Sequence, residues 1–298
     1  MFDVPILLIV YNRVDSLHDL FQMFGKLLPT ELYVAANGAV ADDRIDYATC
    51  LRTRNVIMPH WDCKLHSIVF DEHLSQSEMT FRAVDWFFQN VSEGIILFDE
   101  TMPHPDFFPY CKQLLDRYRS DLQIVHIGGN NFQKKRRVKA SYYFSAYATN
   151  WGFATWRDRW QGFSLDHVDD GQDFQTLLER YFDKKKEKKY WLRWYNILKK
   201  KNLQLFDYQY NFHLWSREGL CVTPSVNLVA NVDFKKNKKR RVRRLLGNSS
   251  PIMPLQHPVE MTRDVKADRH SFKKYYKKAF FAVFAKWLSA NVLLLGDE

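Results

Sequence analysis

The acidic pair Asp99-Glu100 closes the apolar run Ile95-Ile96-Leu97-Phe98, and adjacent carboxylates can hold a hard divalent cation such as Mg or Mn. A cation held this way binds a diphosphate and stabilises it as a leaving group. An acidic pair after a strand also caps a following helix, so spacing alone leaves both readings open. Asp207, between Phe206 and Tyr208, is a candidate of another kind. A carboxylate in an aromatic cleft can take the proton of an attacking hydroxyl; a buried acid bonded to backbone amides reads the same. His257, in Leu255-Gln256-His257-Pro258, offers a third metal ligand as neutral imidazole, although a lone histidine is more often structural. Other chemistries lack their motifs. Gly128-Gly129 does not make a G-x-G-x-x-G loop, and there is no Walker A, H-E-x-x-H or G-x-S-x-G.

The elements that must position these groups are legible in the first half. Apolar runs at 6–10, 32–35, 65–70, 94–98 and 124–127 read as strands, separated by helical patterns such as 16–28 and 80–90. Continuous Val/Ile/Leu runs alternating with helices write a parallel sheet covered on both faces. Ligands of open sheets collect beyond the carboxyl ends of the strands. Tyr11-Asn12-Arg13, Asn37-Gly38, Asp71-Glu72 and Asp99-Glu100 occupy those positions. Each is also an ordinary turn or cap sequence. From about residue 141 the chain is rich in Trp and Tyr, as in Trp151-Gly152-Phe153-Ala154-Thr155-Trp156, which suits an acceptor site.

Hydrophobic residues at 46% support a substantial core, and 298 residues suit one main domain with appendages. The cysteines, Cys50, Cys63, Cys111 and Cys221, lie far apart and read as free thiols of a reducing compartment. The N-terminus lacks a secretory pattern, so a cytoplasmic protein is expected. The net charge of +10 concentrates in runs at 134–137, 184–189 and 235–244, which invite an anionic partner or merely water. No nucleic-acid motif accompanies them, so nucleic acid is not expected as a partner. Between 270 and 295 apolar residues recur at helical spacing behind Lys273, Lys274, Lys277 and Lys278. That pattern predicts an amphipathic helix on an anionic membrane surface, or else a helix docked on the protein's own core.

These segments together resemble bacterial GT-A-type glycosyltransferases of the glycosyltransferase family 2 kind, the group labelled nucleotide-diphospho-sugar transferases or HlpA-like. The likeness runs from Pro5 to about Arg269. It is carried by PILLIVYNR (5–13), DWFFQNVSEGIILFDETMPHPDFF (85–108), HIGGNNF (126–132), YYFSAYATNWGFATWRDRW (142–160), FDYQYNF (206–212) and TPSVNLVANVDF (223–234). The resemblance implies an α/β, Rossmann-like GT-A domain over 1–269 with a mixed, mostly parallel sheet flanked by helices. Residues 1–140 would form the nucleotide-sugar half, 141–269 an aromatic acceptor half, and 270–298 the appended helix. It further implies a donor near Asn12, Arg13, Asn37, Asp71 and Asp99, and a divalent metal (Mn or Mg) on Asp99, Glu100 and His257. The acceptor, a glycan or lipid-linked glycan, would meet Trp151, Gly152, Phe153, Trp156 and Tyr208. Asp207 would be the base of an inverting transfer in cell-surface polysaccharide synthesis at the inner face of the membrane.

The chain departs from the family's pattern at several of these places. Phe98-Asp99-Glu100 stands where relatives read Glu-Asp-Asp, Asn37-Gly38 where they read Asp-Gly, and His73-Leu74-Ser75-Gln76-Ser77 where they carry a glycine-containing loop. Two readings therefore stand side by side: an active transferase, or a degenerate relative that binds a sugar nucleotide, a glycan or a partner without turnover.

Overall fold

The first apolar run, Ile6 to Val10, cannot place all five side chains on the same side of a sheet. In the computed structural model, which describes residues 1–133, 138–165, 174–231 and 252–277, all five are buried as β1 (Ile6–Val10). Then come α1 (Val14–Leu27), β2 (Glu31–Ala36), α2 (Arg44–Asn55), β3 (Lys64–Val69), α3 (Gln76–Asn90) and β4 (Glu93–Phe98). The chain continues through β5 (Thr101–Pro103), α4 (Phe107–Tyr118), β6 (Ile124–Gly128), β7 (Tyr142–Ser145), β8 (Phe153–Trp156) and α5 (Arg157–Trp160). It ends with α6 (Phe174–Tyr181), α7 (Lys185–Lys201), α8 (Phe206–Ser216), β9 (Leu220–Pro224), β10 (Val229–Asn231), α9 (Val265–Ser271) and a π-helical turn (Phe272–Tyr276).

The main sheet has eight strands in the order β3-β2-β1-β4-β8-β6-β9-β7. β3, β2, β1 and β4 run parallel, as do β6 and β9, whereas β8 lies antiparallel between β4 and β6 and β7 antiparallel to β9. The fold is thus a mixed, mostly parallel α/β sheet flanked by helices. Strand alternation divides the core. Ile6, Leu8, Val10, Ile95 and Leu97 face one cluster with Leu17, Leu20 and Phe24 of α1 and Phe108, Leu114 and Leu115 of α4. Leu7, Ile9, Ile96 and Phe98 face another with Ala83, Val84 and Phe87 of α3 and Phe206, Tyr210 and Leu214 of α8. Each such burial contributes roughly 1.5–3 kcal/mol before entropy.

The remaining face of α8, Tyr208, Phe212 and Trp215, enters a third, aromatic cluster with α6, α7, Phe272 and Tyr276. A helix with apolar residues on opposite faces belongs in an interior, and α8 is such a helix, with the polar Gln209 and Asn211 buried alongside. Helix starts carry local signals: Asp43 accepts from the amides of Ile45 and Asp46, and Ser75 accepts from that of Glu78. The stretch 73–77 therefore holds the N-cap of α3, Ser75, and the helix's first two residues, Gln76 and Ser77.

Two expectations change. The run at 65–70 is not a buried strand but the outer, half-exposed edge strand β3, because nothing pairs beyond it among the described residues. The start of the C-terminal segment is docked on the core, Phe272 and Tyr276 being buried while Lys273 and Lys274 face out. The rest of that amphipathic pattern, 278–298, lies outside the described residues, as do the basic runs 134–137 and 235–244. No helix among the described residues is long and apolar enough to cross a membrane. All four cysteines are unpaired.

Two glycines test this packing in opposite directions. A Cβ on Gly94 of β4 would lie 2.3 Å from the Phe87 ring and 2.8 Å from the carbonyl oxygen of Pro5, whereas one on Gly25 of α1 would meet nothing within 4 Å. Gly94→Ala is expected to destabilise by about 1–3 kcal/mol, and Gly25→Ala to stabilise by up to about 1 kcal/mol. Urea midpoints at unchanged slope measure both.

Candidate functional site

Because β1, β2 and β4 are parallel neighbours, the residues after them arrive at one edge. There the main-chain N–H of Tyr11 donates to Asp99 Oδ2 at 2.7 Å, tying the end of β1 to the end of β4. The Tyr11 hydroxyl donates to Asp46 Oδ2 at 2.6 Å, Asn12 Nδ2 to Asp46 Oδ1 at 2.7 Å, and the Val40 amide to Asp46 Oδ2 at 2.9 Å. Burial is the largest single effect on the Asp46 carboxyl and pushes it up. The Tyr11, Val40 and Asn12 donors, with His73 nearby, outweigh it together, so the group sits below the ordinary aspartate value. Asn37 is buried and makes three side-chain bonds: Nδ2 donates to the Leu74 carbonyl, and Oδ1 accepts from the amides of Leu74 and Gly38. An aspartate could not make the first of these bonds, so the amide of Asn37 braces the edge.

Two cavities meet here. One, of about 270 Å³, is bordered by Tyr11, Arg13, Asn37, His73, Asp99 and Glu100. The other, of about 370 Å³, is bordered by Glu100, Asn150, Trp151, Asp207, Tyr208 and Tyr275. Gln76, Thr80, Phe98 and Glu100 line both, so the end of β4 is their common wall. Asp207 stands in the first turn of α8, accepting from Asn150 Nδ2 at 2.9 Å and from the Tyr275 hydroxyl at 3.2 Å. Burial pushes its carboxyl above the ordinary value; the Asn150 and Tyr275 donors only partly oppose this. That is the direction a general base needs.

The sequence candidates fall into three groups. Arg13, Asp99, Glu100, Trp151, Tyr208 and Asp207 line the paired cavities, with Asn37 as a brace in their wall. Asn12 lines neither cavity and spends its side-chain amide on Asp46. Gly152, Phe153 and Trp156 are buried: the Gly152 carbonyl accepts from the Gly129 amide, and Phe153 stacks on His126. Trp156 pairs with Glu93 at the opposite end of β4, roughly 17 Å of strand away from Phe98. It lies under Arg159 in the core, because antiparallel β8 carries the end of the WGFATW motif away from the edge. His126 of HIGGNNF is likewise interior, its pKa held down to about 3 by burial. Asp71 is exposed and borders a separate surface pocket with Tyr47 and Arg54.

The implied metal fits part of this arrangement. Asp99 and Glu100 share one cavity, and Glu100 Oε1 accepts from Asn231 Nδ2 at 3.2 Å. His257 does not join them; its Nδ1 meets the Tyr142 hydroxyl at 2.9 Å, and no group of three His, Cys, Asp or Glu able to hold a metal forms among the described residues. Two carboxylates suffice for a cation whose remaining ligands are substrate phosphates and water, but not for an all-protein cage. Sequence reading passed over Asp46, Asn150, Asn231 and Tyr275. Asn150 and Asn231 sit inside motifs already noted, but Tyr275 lay in a segment read as an amphipathic helix for a membrane surface or the protein's own core, and Asp46 resembles any acid in a helix's first turn.

No protein-family model matches this sequence, and neither does any curated protein. Solved structures do match. The 4-diphosphocytidyl-2C-methyl-D-erythritol synthase of Anaerococcus prevotii is 9% identical, with 82% of this chain and 98% of that one covered at a TM-score of 0.41. The glucosyl-3-phosphoglycerate synthase of Mycobacterium tuberculosis, solved with Mn2+, UDP and phosphoglyceric acid, is 12% identical, with 53% and 56% covered at 0.33. HddC of Yersinia pseudotuberculosis is 12% identical, with 53% and 78% covered at 0.32. At such identities the likeness concerns the α/β architecture alone.

The two aspartates should give opposite pH signatures. Asp46, with its pKa lowered by folding, contributes stability above the unfolded value near ~3.9 and loses it as pH falls through the folded value. Asp46→Ala should therefore cost about 1–3 kcal/mol at pH 7, the penalty of leaving its donors unmet, and less in acid. Asp207, with its pKa raised, is destabilising as pH climbs from the unfolded to the folded value. Asp207→Asn should melt above the parent at pH 7, and the gain should vanish below about pH 4. Melting curves across pH check both.

Proposed function

We propose that this chain is a GT-A-type glycosyltransferase, moving a sugar from a nucleotide diphosphate donor to an acceptor hydroxyl with inversion. One observation carries the reading: two cavities share the end of β4, one holding Asp99, Glu100 and Arg13, the other holding Asp207 with a raised pKa. The donor diphosphate occupies the first cavity, with the Arg13 guanidinium offsetting its charge. Asp99 and Glu100 would hold a divalent cation there, which when bound would neutralise the departing diphosphate. The sugar lies across the shared wall, against the ring of Phe98. From the second cavity the acceptor oxygen attacks the anomeric carbon as Asp207 takes its proton, and the bond to the diphosphate oxygen breaks on the opposite face. A single displacement of this kind inverts the centre. Asn150 and Tyr275 fix the carboxylate so that it faces the hydroxyl without searching rotamers.

Calorimetric titration with a panel of sugar nucleotides, with and without manganese, tests the donor half. Metal-dependent binding of one donor, lost in Asp99→Ala/Glu100→Ala, is expected; silence across the panel would favour a degenerate, partner-binding relative. With a donor in hand, Asp207→Asn should bind it as the parent does and lose about 10²–10⁴-fold in turnover. Full turnover in that variant would remove Asp207 as the base.

A further inference from the structure

The main sheet ends in two unlike edges. At one, the chain itself covers β7: the Asp264 amide donates to the Phe144 carbonyl, the Ser141 amide donates to that of Gln256, and Arg263 bridges to Phe144. At the other, nothing among the described residues pairs with the outer side of β3. β3 follows β2 over all six residues in unbroken register, without proline or bulge, and its one Lys, Arg, Asp or Glu is Lys64 at the start. Exposed edges are ordinarily blunted by such devices, because their open N–H and C=O groups template another strand. The Lys64 and Phe70 amides donate to the Thr30 and Ala36 carbonyls. Alternation therefore turns the main-chain groups of Leu65, Ser67 and Val69 toward the open edge.

The side chains of the same three residues lie beside Leu32, Val34 and Ala36, on the face that holds α1 and α2. Yet Leu65 is 41% and Val69 48% exposed. Tyr47 of α2, also exposed, lines a pocket with Phe70 and Asp71, and exposed Leu51 stands one helical turn on from it. Of the eleven large apolar residues exposed among the described residues, seven fall between Val40 and Val69, so apolar surface gathers here rather than scattering.

We propose that this edge joins two copies of the chain about a twofold axis through Ser67, with β3 antiparallel to the partner's β3. The strand is complementary to itself in that direction. Its outward-facing residues oppose one another as hydrogen-bonded pairs, Leu65 to the partner's Val69 on either side of the axis and Ser67 to the partner's Ser67, for about six main-chain bonds. Leu65 and Val69 cover each other on one face of the joined sheet, where the exposed side of α2 approaches its counterpart. Exposed Lys64, whose contact with Glu31 is a long 3.8 Å, comes diagonal to the partner's Glu72 on the other face. A parallel copy would set lysine beside lysine and acid beside acid. The charges at the two ends of the strand thus select the antiparallel copy. Leu65, Ser67 and Val69 line neither of the paired cavities, so the dimer leaves both accessible, and the inference does not depend on the transferase reading.

Sedimentation of the full chain between about 1 and 200 µM tests this, since an edge contact is smaller than the ~1,200–2,000 Å² of stable interfaces and therefore weak. Reversible dimerisation is expected. Ser67→Pro removes only an outward N–H, and Val69→Lys only an exposed side chain. Each should weaken association about tenfold or more and melt like the parent at the dilute end of that range. Lys64→Glu and Glu72→Lys should each weaken it, and the two combined in one chain should restore it. Ser67→Cys should give a disulfide-linked dimer on mild oxidation, because Cα atoms of a hydrogen-bonded pair stand about 5.5 Å apart. Gln89→Cys, exposed on α3, should not. A chain monomeric throughout, or a dimer that withstands both Ser67→Pro and Val69→Lys, overturns the proposal. So does a monomer whose Leu65, Ser67 and Val69 amides resist hydrogen exchange, which would mean that the chain covers this edge itself. Association that grows past the dimer overturns it as well, the edge then taking strands without a closed partner.

Discussion

A buried strand that ends in two acids sets the terms for the rest of this molecule. β4 has a packed cluster on each face, so it cannot slide or twist to relieve its last residues. Asp99 is 6% exposed and would be badly placed there without a donor aimed at it. The Tyr11 amide is that donor, and the same residue's hydroxyl reaches Asp46. The ends of β1 and β4 and the start of α2 are thus joined through one tyrosine, and the cavity beneath them keeps its shape because each buried acid has its donors.

The opposite wall obeys a different constraint. α8 is clamped between the second and third clusters, with Phe206, Tyr210 and Leu214 on one side and Tyr208, Phe212 and Trp215 on the other. Asp207 emerges between these faces in the first turn, where the helix dipole favours a negative charge, yet burial still raises its pKa. A carboxylate stabilised by more donors would be a poorer base. The site stops at Asn150 and Tyr275, and Asn211 is spent on the Asp207 carbonyl, the Ala148 amide and the Tyr276 hydroxyl instead.

How much of this the sequence carries depends on which kind of regularity holds an element. The runs that became β1, β2, β4 and β6 are visible because both their faces are buried and, His126 and the leading Glu31 and Glu93 apart, their residues are apolar. β7, β8 and β9 are hidden among aromatics such as Tyr142, Phe153 and Trp156, whose spacing does not tell strand from helix or core from cleft. That ambiguity is why WGFATW reads as an acceptor surface, although β8 points most of it into the interior. Asn37 illustrates another limit. An Asp-to-Asn change at a strand end reads as a lost ligand, but the amide donates to the Leu74 carbonyl, a bond only the extended loop geometry reveals.

The same ambiguity hid the boundary of the domain. Reading a helix from residue 270 invites a cut at Arg269, but Phe272 and Tyr276 belong to the third cluster. The Tyr276 ring lies 4.8 Å from Trp191 and 5.0 Å from Tyr147, its hydroxyl donates to the Ala148 carbonyl, and Tyr275 stacks on Phe132 at 4.5 Å while holding Asp207. Truncating a single buried aromatic costs about 3–5 kcal/mol, a large part of a domain's margin of about 5–15 kcal/mol. A chain ending at Arg269 should therefore melt far below the full protein or fail to fold. One ending at Lys277 keeps every described contact. A melting temperature equal to the parent's at that second boundary, against a collapse at the first, would show that these eight residues work as part of the core and of the site.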